Sequence, residues 1–183
     1  MEELKLSDKV LIAVLILLNF YFYGEVYLTT RGVNIREDEA KKCATRWVVN
    51  ALESSNFYLR ISADSEGVSS MTNLKLKNKF AKLLPCITRV NIINAPNPKS
   101  KALAYVMPHL SSNKMWVNSK EWPNINLEAK VHTIIHECTH LSLGTLDYAY
   151  LGQEKYDGLR GYNASHNADT ISQIISNINF LSC

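Results

Sequence analysis

Apolar residues follow a helical period over four stretches of this chain and cluster in three shorter runs between them. Ala40, Cys43, Ala44, Trp47, Val48, Ala51 and Leu52 recur at three and four, which predicts a helix over residues 36–60. Leu74, Leu76, Phe80 and Leu83 alternate with Lys75, Lys77, Lys79 and Lys82, predicting an amphipathic helix over 74–84 with a solvated lysine face. Residues 87–94, 102–107 and 114–118 have strand character and are separated by Pro96-Asn97-Pro98 and by the stretch from Pro108 to Asn113. The last two are spaced for a hairpin. Two further helices are predicted, 127–142 behind an Asn126 cap and about 167–178 behind Ser165. Helices, a small sheet and helices again give an α+β fold.

The longest apolar run, Val10 to Tyr23, is 14 residues broken only by Asn19, or about 21 Å as a helix. That is short for a membrane span and matches a buried helix, an interfacial segment or the core of an export signal. The flank before it carries Glu2, Glu3, Lys5, Asp8 and Lys9, unlike the basic start of a secretory signal, and Thr30-Arg31-Gly32 is a weak cleavage site. Residues 1–32 are therefore expected to form an N-terminal apolar segment, a signal, an anchor or an extra core helix, with membrane association through residues 10–23. Residues 33–183 form the folded domain. At 183 residues the chain has room for one domain and a real core.

Charge narrows the function. Lys and Arg exceed Asp and Glu by only three, 20 against 17, with no basic block, so nucleic acid binding is not expected. Cys43, Cys86, Cys138 and Cys183 contain no CxxC pair, which excludes zinc-ribbon and thioredoxin spacing and leaves thiols or up to two disulfides. Disulfides would place the chain in an oxidising compartment, exported to a periplasm, secreted or membrane-anchored, as effectors and toxins are.

His136-Glu137-Cys138-Thr139-His140 is an HExxH. Residues four apart on a helix face the same way with about 5 to 6 Å between them, so both imidazoles can reach one zinc. With five His and eleven Glu in the chain, chance would produce the motif in roughly one shuffled sequence per hundred. The residues just beyond His140 make it specific. Gly144 can take the left-handed conformation that ends a helix, and a chain doubling back there returns Asp147 toward the metal as a third ligand, with a fourth position open for water. A third histidine in the HExxHxxGxxH pattern is excluded, because Leu143 and Leu146 stand at those positions.

Gly144-Thr145-Leu146-Asp147-Tyr148-Ala149-Tyr150 fits GTxDxxY, and here the chain resembles the aspzincins, the deuterolysin-like zinc endopeptidases, above all their peptidyl-Lys metalloendopeptidase branch. The resemblance extends back through Leu103-Ala104-Tyr105-Val106-Met107-Pro108, Met115-Trp116-Val117 and Trp122 and forward to Asn167-Ala168-Asp169. It covers about residues 102–169 and leaves the first 35 unmatched. It implies a zincin-like domain, a small sheet with an HExxH helix and flanking helices, holding one zinc ion (Zn2+) per chain on His136, His140 and Asp147. Glu137 would be the general base activating a zinc-bound water, and Tyr150 a donor to the oxyanion. Asp169 would line the pocket for a substrate lysine after the scissile bond, with Ala104 and Tyr105 also binding substrate. Ser172 stands where the branch has a second pocket acid, so a basic preference weaker than strict lysine specificity is expected, with Glu154 and Asp157 placed to restore charge. The glycine that usually follows the tyrosine is displaced by Leu151 to Gly152. The resemblance also implies a Cys43–Cys86 bridge.

The net charge of two neutral imidazoles, one carboxylate and zinc is +1, less acidifying for water than three histidines would leave it, so a base such as Glu137 is required. The other candidates have plainer readings. His132 lies one turn before His136, but a straight helix cannot bring three such rings onto one metal; His109 and His166 read as loop histidines, and Cys138 as buried against the sheet. The expected function is a monomeric zinc endopeptidase acting on protein or peptide. The alternatives are a catalytically inactive zincin-fold binding or structural module, and an anchored interaction protein with an accidental HExxH.

Overall fold

The computed structural model describes residues 36–54, 73–95, 102–108, 113–179 and 183. The apolar stretch 10–23, residues 55–60 of the first predicted helix and His109 lie outside the described residues. Helix α1 spans residues 36–53 and buries Ala40, Cys43, Ala44, Trp47, Val48 and Ala51, the predicted face. Among the described residues no helix is long and apolar enough to cross a membrane.

Helix α2, Asn73–Arg89, runs further than its lysine-rich stretch predicts and includes Pro85. Residues 87–89, expected to open a strand, are its last turn. The reason lies in spacing: Leu76, Phe80, Leu83 and Ile87 are all fully or almost fully buried at helical intervals. Burying Ile87 on that face outweighs the one backbone bond Pro85 removes. Thr88 Oγ1 donates to the Leu84 carbonyl at 3.0 Å.

Strands β1 (Asn91–Ala95), β2 (Ala104–Val106) and β3 (Lys114–Asn118) make a sheet of order β1-β3-β2. β1 runs parallel to the central β3. β2 pairs antiparallel with it, Ala104 opposite Val117 and Val106 opposite Met115, as the expected hairpin. Met115 and Val117 point into the core, and on the opposite face Tyr105 stacks on Trp116 at 5.6 Å. β2 is an edge strand, and it packs against the next helix.

That helix, α3, spans Leu127–Leu143. Asn126 caps it, its side chain accepting from Ala129 N–H at 2.8 Å, and Gly144 ends it in the left-handed conformation at φ 65°. Val131, Ile134, Ile135 and Cys138 form a fully buried stripe, and α3 packs on both α2 and the last helix. Two short helices come next, α4 (Glu154–Asp157) and α5 (Gly161–Ser165), then α6 (Ala168–Ile178). Asn179 ties the end of α6 to α1, donating to the Trp47 carbonyl at 2.8 Å.

Both disulfides differ from the implied Cys43–Cys86 bridge: Cys43 is joined to Cys183 and Cys86 to Cys138. Each pair has its Cα atoms 5.7 Å apart, inside the range a bridge spans. The cause is tertiary. Cys86 lies on the α2 turn that packs against α3, so its neighbour is Cys138, whose side chain meets α2 rather than the sheet.

Candidate active site

α3 is buried along its second half, and this brings chemistry into the interior. His136 and Glu137 are 7% and 6% exposed. The His136 and His140 rings pack edge to face with centroids 5.1 Å apart, one helical turn between them. His140 Nδ1 lies 2.8 Å from the Thr145 carbonyl and must donate to it, which leaves Nε2 as an unprotonated acceptor in the neutral ring. The Thr145 hydroxyl bonds that of Thr139, inside the HExxH, at 2.6 Å. The turn after Gly144 is thereby fastened to the helix it leaves.

That turn delivers Asp147. Its Oδ1 lies 3.1 Å from His136 Nε2 and 3.3 Å from His140 Nε2. Among the described residues these three make up the group of ligand atoms, all within 4.8 Å of one another, that can hold a metal ion. His132 is outside it. Two neutral-capable imidazole nitrogens and one carboxylate oxygen are the donors zinc accepts at a site with an open position, so the residues present fit that metal.

The electrostatics agree. Burial opposes protonation of His136, yet hydrogen bonds to Asp147 and the nearby Asp169 outweigh it and raise its pKa to about 9. His140 is raised in the same direction against its burial, by Asp147 and the Thr145 carbonyl. Asp147, though half-buried, is held far below the carboxylate range by the two rings. Without metal the cluster retains protons that a cation would displace. Burial raises Glu137, with both histidines pulling the other way, and a backbone bond from Val106 on β2 holds its carboxylate. Tyr150 is pushed above the usual phenol range by burial and by its hydrogen bond to Asp147, so it stays a donor. Its ring lies parallel to that of His136 at 5.9 Å.

The loop carrying Asp147 and Tyr150 is anchored by Asn167, which is fully buried. Its Oδ1 accepts from Tyr148 N–H at 2.9 Å and Ala149 N–H at 3.3 Å, and its Nδ2 donates to the Ala149 carbonyl at 2.9 Å. Backbone bonds from Leu146 N–H to the His166 carbonyl and from Ala168 N–H to the Leu146 carbonyl add a bridge between the segments. The displaced glycine, Gly152, has φ 87°, so the turn after Tyr150 needs its left-handed residue one position later than the motif places it. Sequence reasoning noted Asn167 only as part of a matching run. Thr145 and Asn167 were missed as positioning residues because their roles depend on which carbonyls and amides the fold brings to them.

Asp169, in the first turn of α6, accepts from Leu151 N–H at 2.7 Å through Oδ2 and faces His136 Nδ1 at 3.7 Å through Oδ1. It thus sits behind the His136 ring, the place from which a carboxylate orients a metal-binding imidazole. It also lines a cavity of about 430 Å3 together with Tyr150, Leu151, His132 and Glu128. Ala104 and Tyr105 lie on β2, next to the Val106 that meets Glu137. Glu154 and Asp157, expected as a second source of pocket charge, are exposed on α4, and Ser172 is buried.

No protein-family model matches the chain, and neither does any of the curated proteins. Among solved structures the chain is similar to a zinc peptidase from Grifola frondosa, at 19% identity and a TM-score of 0.59, over 75% of this chain and 90% of that one. The likeness is one of architecture: this chain has the α+β, zincin-like fold of that peptidase.

Proposed function

We propose that the chain is a zinc endopeptidase, with the metal held by His136, His140 and Asp147. The observation that carries the reading is the approach of one Asp147 oxygen to both Nε2 atoms, at 3.1 and 3.3 Å, beside a buried carboxylate that is no part of that group. The Grifola frondosa protein of like fold, a zinc peptidase, supports it. Zinc bound here would act as a Lewis acid toward a water and a substrate carbonyl.

The protein's own groups do the rest. Glu137, its affinity for protons raised by burial, takes the proton of the attacking water and passes it to the leaving amine, a role worth about 10²- to 10⁴-fold. Tyr150 turns its hydroxyl from Asp147 to the carbonyl oxygen as that oxygen gains negative charge. Edge strand β2, through Ala104 and Tyr105, offers backbone for an extended substrate to pair with. Asp169 favours a basic residue just after the scissile bond. Residues 33–183 form the peptidase domain and residues 1–32 a separate apolar segment. The two disulfides are consistent with export.

The test is zinc content together with cleavage of an unstructured protein. The wild type should carry one zinc and lose activity to a chelator. Glu137→Gln should keep the metal and lose turnover by at least about 10²-fold. A metal-loaded wild type that cleaves nothing would leave the fold as a binding module.

A further inference from the structure

We propose that Glu128, on the first turn of α3, is a specificity-determining residue of the cavity beside Tyr150, selecting a long basic side chain. The inference rests on the peptidase reading above for what the cavity receives. At about 430 Å3 the space is within the range of sites that enclose a ligand group, and it adjoins the reaction centre through Tyr150 and Asp169. Its wall contains two carboxylates, Glu128 and Asp169, and, among the described residues, no lysine or arginine.

The two carboxylates are not equivalent. Asp169 has one oxygen on Leu151 N–H and the other turned to His136, so much of its charge answers groups of the site itself. Glu128 is exposed at the cavity wall, one helical turn from His132 on the same face.

The remaining lining, among the described residues, brings no lysine or arginine. His132 lies between the two acids on the cavity wall, where burial lowers its affinity for protons while Asp169 and Glu128 pull the other way. Its Nε2 lies 3.1 Å from Ser172 Oγ, which also donates to the Asp169 carbonyl at 3.0 Å, so the ring is held in place at the cavity wall. A cavity with two carboxylates and no lysine or arginine on its wall favours an ammonium or guanidinium over an apolar end group. The partial positive charge at the start of α3 and the exposure of Glu128 keep the effect small.

The experiment compares three peptides that differ only in carrying lysine, arginine or norleucine after the scissile bond. In Glu128→Gln the ratio of kcat/KM for the basic peptides over norleucine should fall roughly two- to fivefold. Glu128→Lys should depress it further, and both effects should fade as salt is raised. Binding of lysinamide to the zinc-loaded protein, followed by NMR, is measured in parallel and needs no turnover. If the wild type cleaves no peptide but lysinamide binds more weakly to Glu128→Gln, the peptidase reading fails and the cavity assignment stands. Unchanged ratios, or lysinamide binding that ignores Glu128, would overturn the proposal.

Discussion

Helix α3 and the loop from Gly144 to Gly152 both contribute to the group that can hold a metal, and they are built in opposite ways. α3 carries His136, Glu137 and His140 on a helix with both ends capped, a fully buried stripe and a disulfide to α2 at Cys138. The loop exposes Leu146, Tyr150 and Leu151 by 57%, 45% and 58% and has little apolar burial of its own. Its order comes from hydrogen bonds supplied by its neighbours, chiefly Asn167. Burial fixes the two candidate ligands on the helix, while a polar clamp fixes a loop that also meets solvent.

The largest effect that could break this contrast is loss of the Cys86–Cys138 bridge. Its 52-residue separation is worth about 4 kcal/mol in the chain-entropy model. Replacing both cysteines with alanine should lower the denaturation free energy by that order. Zinc affinity should change little at temperatures where the variant stays folded, because burial still holds α3. A large loss of zinc affinity in the folded variant would show that the helix depends on its cross-link as the loop depends on its clamp.

Asn167→Ala sharpens the other side. It leaves two loop amides and one carbonyl in search of partners, at a cost of about 1 to 3 kcal/mol. The expected pattern is weaker zinc binding with far-ultraviolet circular dichroism unchanged, as α3 stays intact while Asp147 wanders. Native zinc affinity in this variant would mean that the bridge between Leu146 and Asn167 suffices.

The smallest effect is one of pH, in the metal-free protein. His136 has its pKa raised from 6.5 to about 9 in the fold. The helix-to-loop ion pair therefore contributes fully below about pH 6.5 and is lost as pH rises through about 9. Asp147 is more than a third open to solvent, so the change should be no more than about 1 kcal/mol. Melting of chelated protein should fall across that window, and zinc affinity should climb across it as the proton leaves. A flat melting profile would mean that the loop carries no charge coupling to α3.

The parts of this molecule legible in the sequence are those set by neighbours along the chain. Asn126 and Gly144 bracket α3 because capping is decided within a few residues, and the HExxH spacing forces two imidazoles onto one face. Asp147 was legible because a left-handed glycine sends the chain back. The disulfides were misread, since pairing Cys86 with Cys138 requires knowing that α2 lies on α3. The end of α2 was misread because Pro85 and β-branched Ile87 argue locally for a strand, and only the core shows why the helix continues. Nothing in the sequence singles out Glu128, because its place on the cavity wall is tertiary information.

Asn167 and Asp169 hold both halves of the loop, the one through Tyr148 and Ala149 and the other through Leu151. Between Gly152 and the start of that anchor run α4 and α5, with Gln153 accepting from Tyr150 N–H at 3.1 Å and Leu159 buried between the two short helices. The exposed turn at Asp157 and Gly158 is thus the place where length can vary with least effect on Asp147, since Gln153 on one side is bonded to Tyr150 and Leu159 on the other is buried in the core. A tag or reporter domain for following the protein has its natural insertion point there.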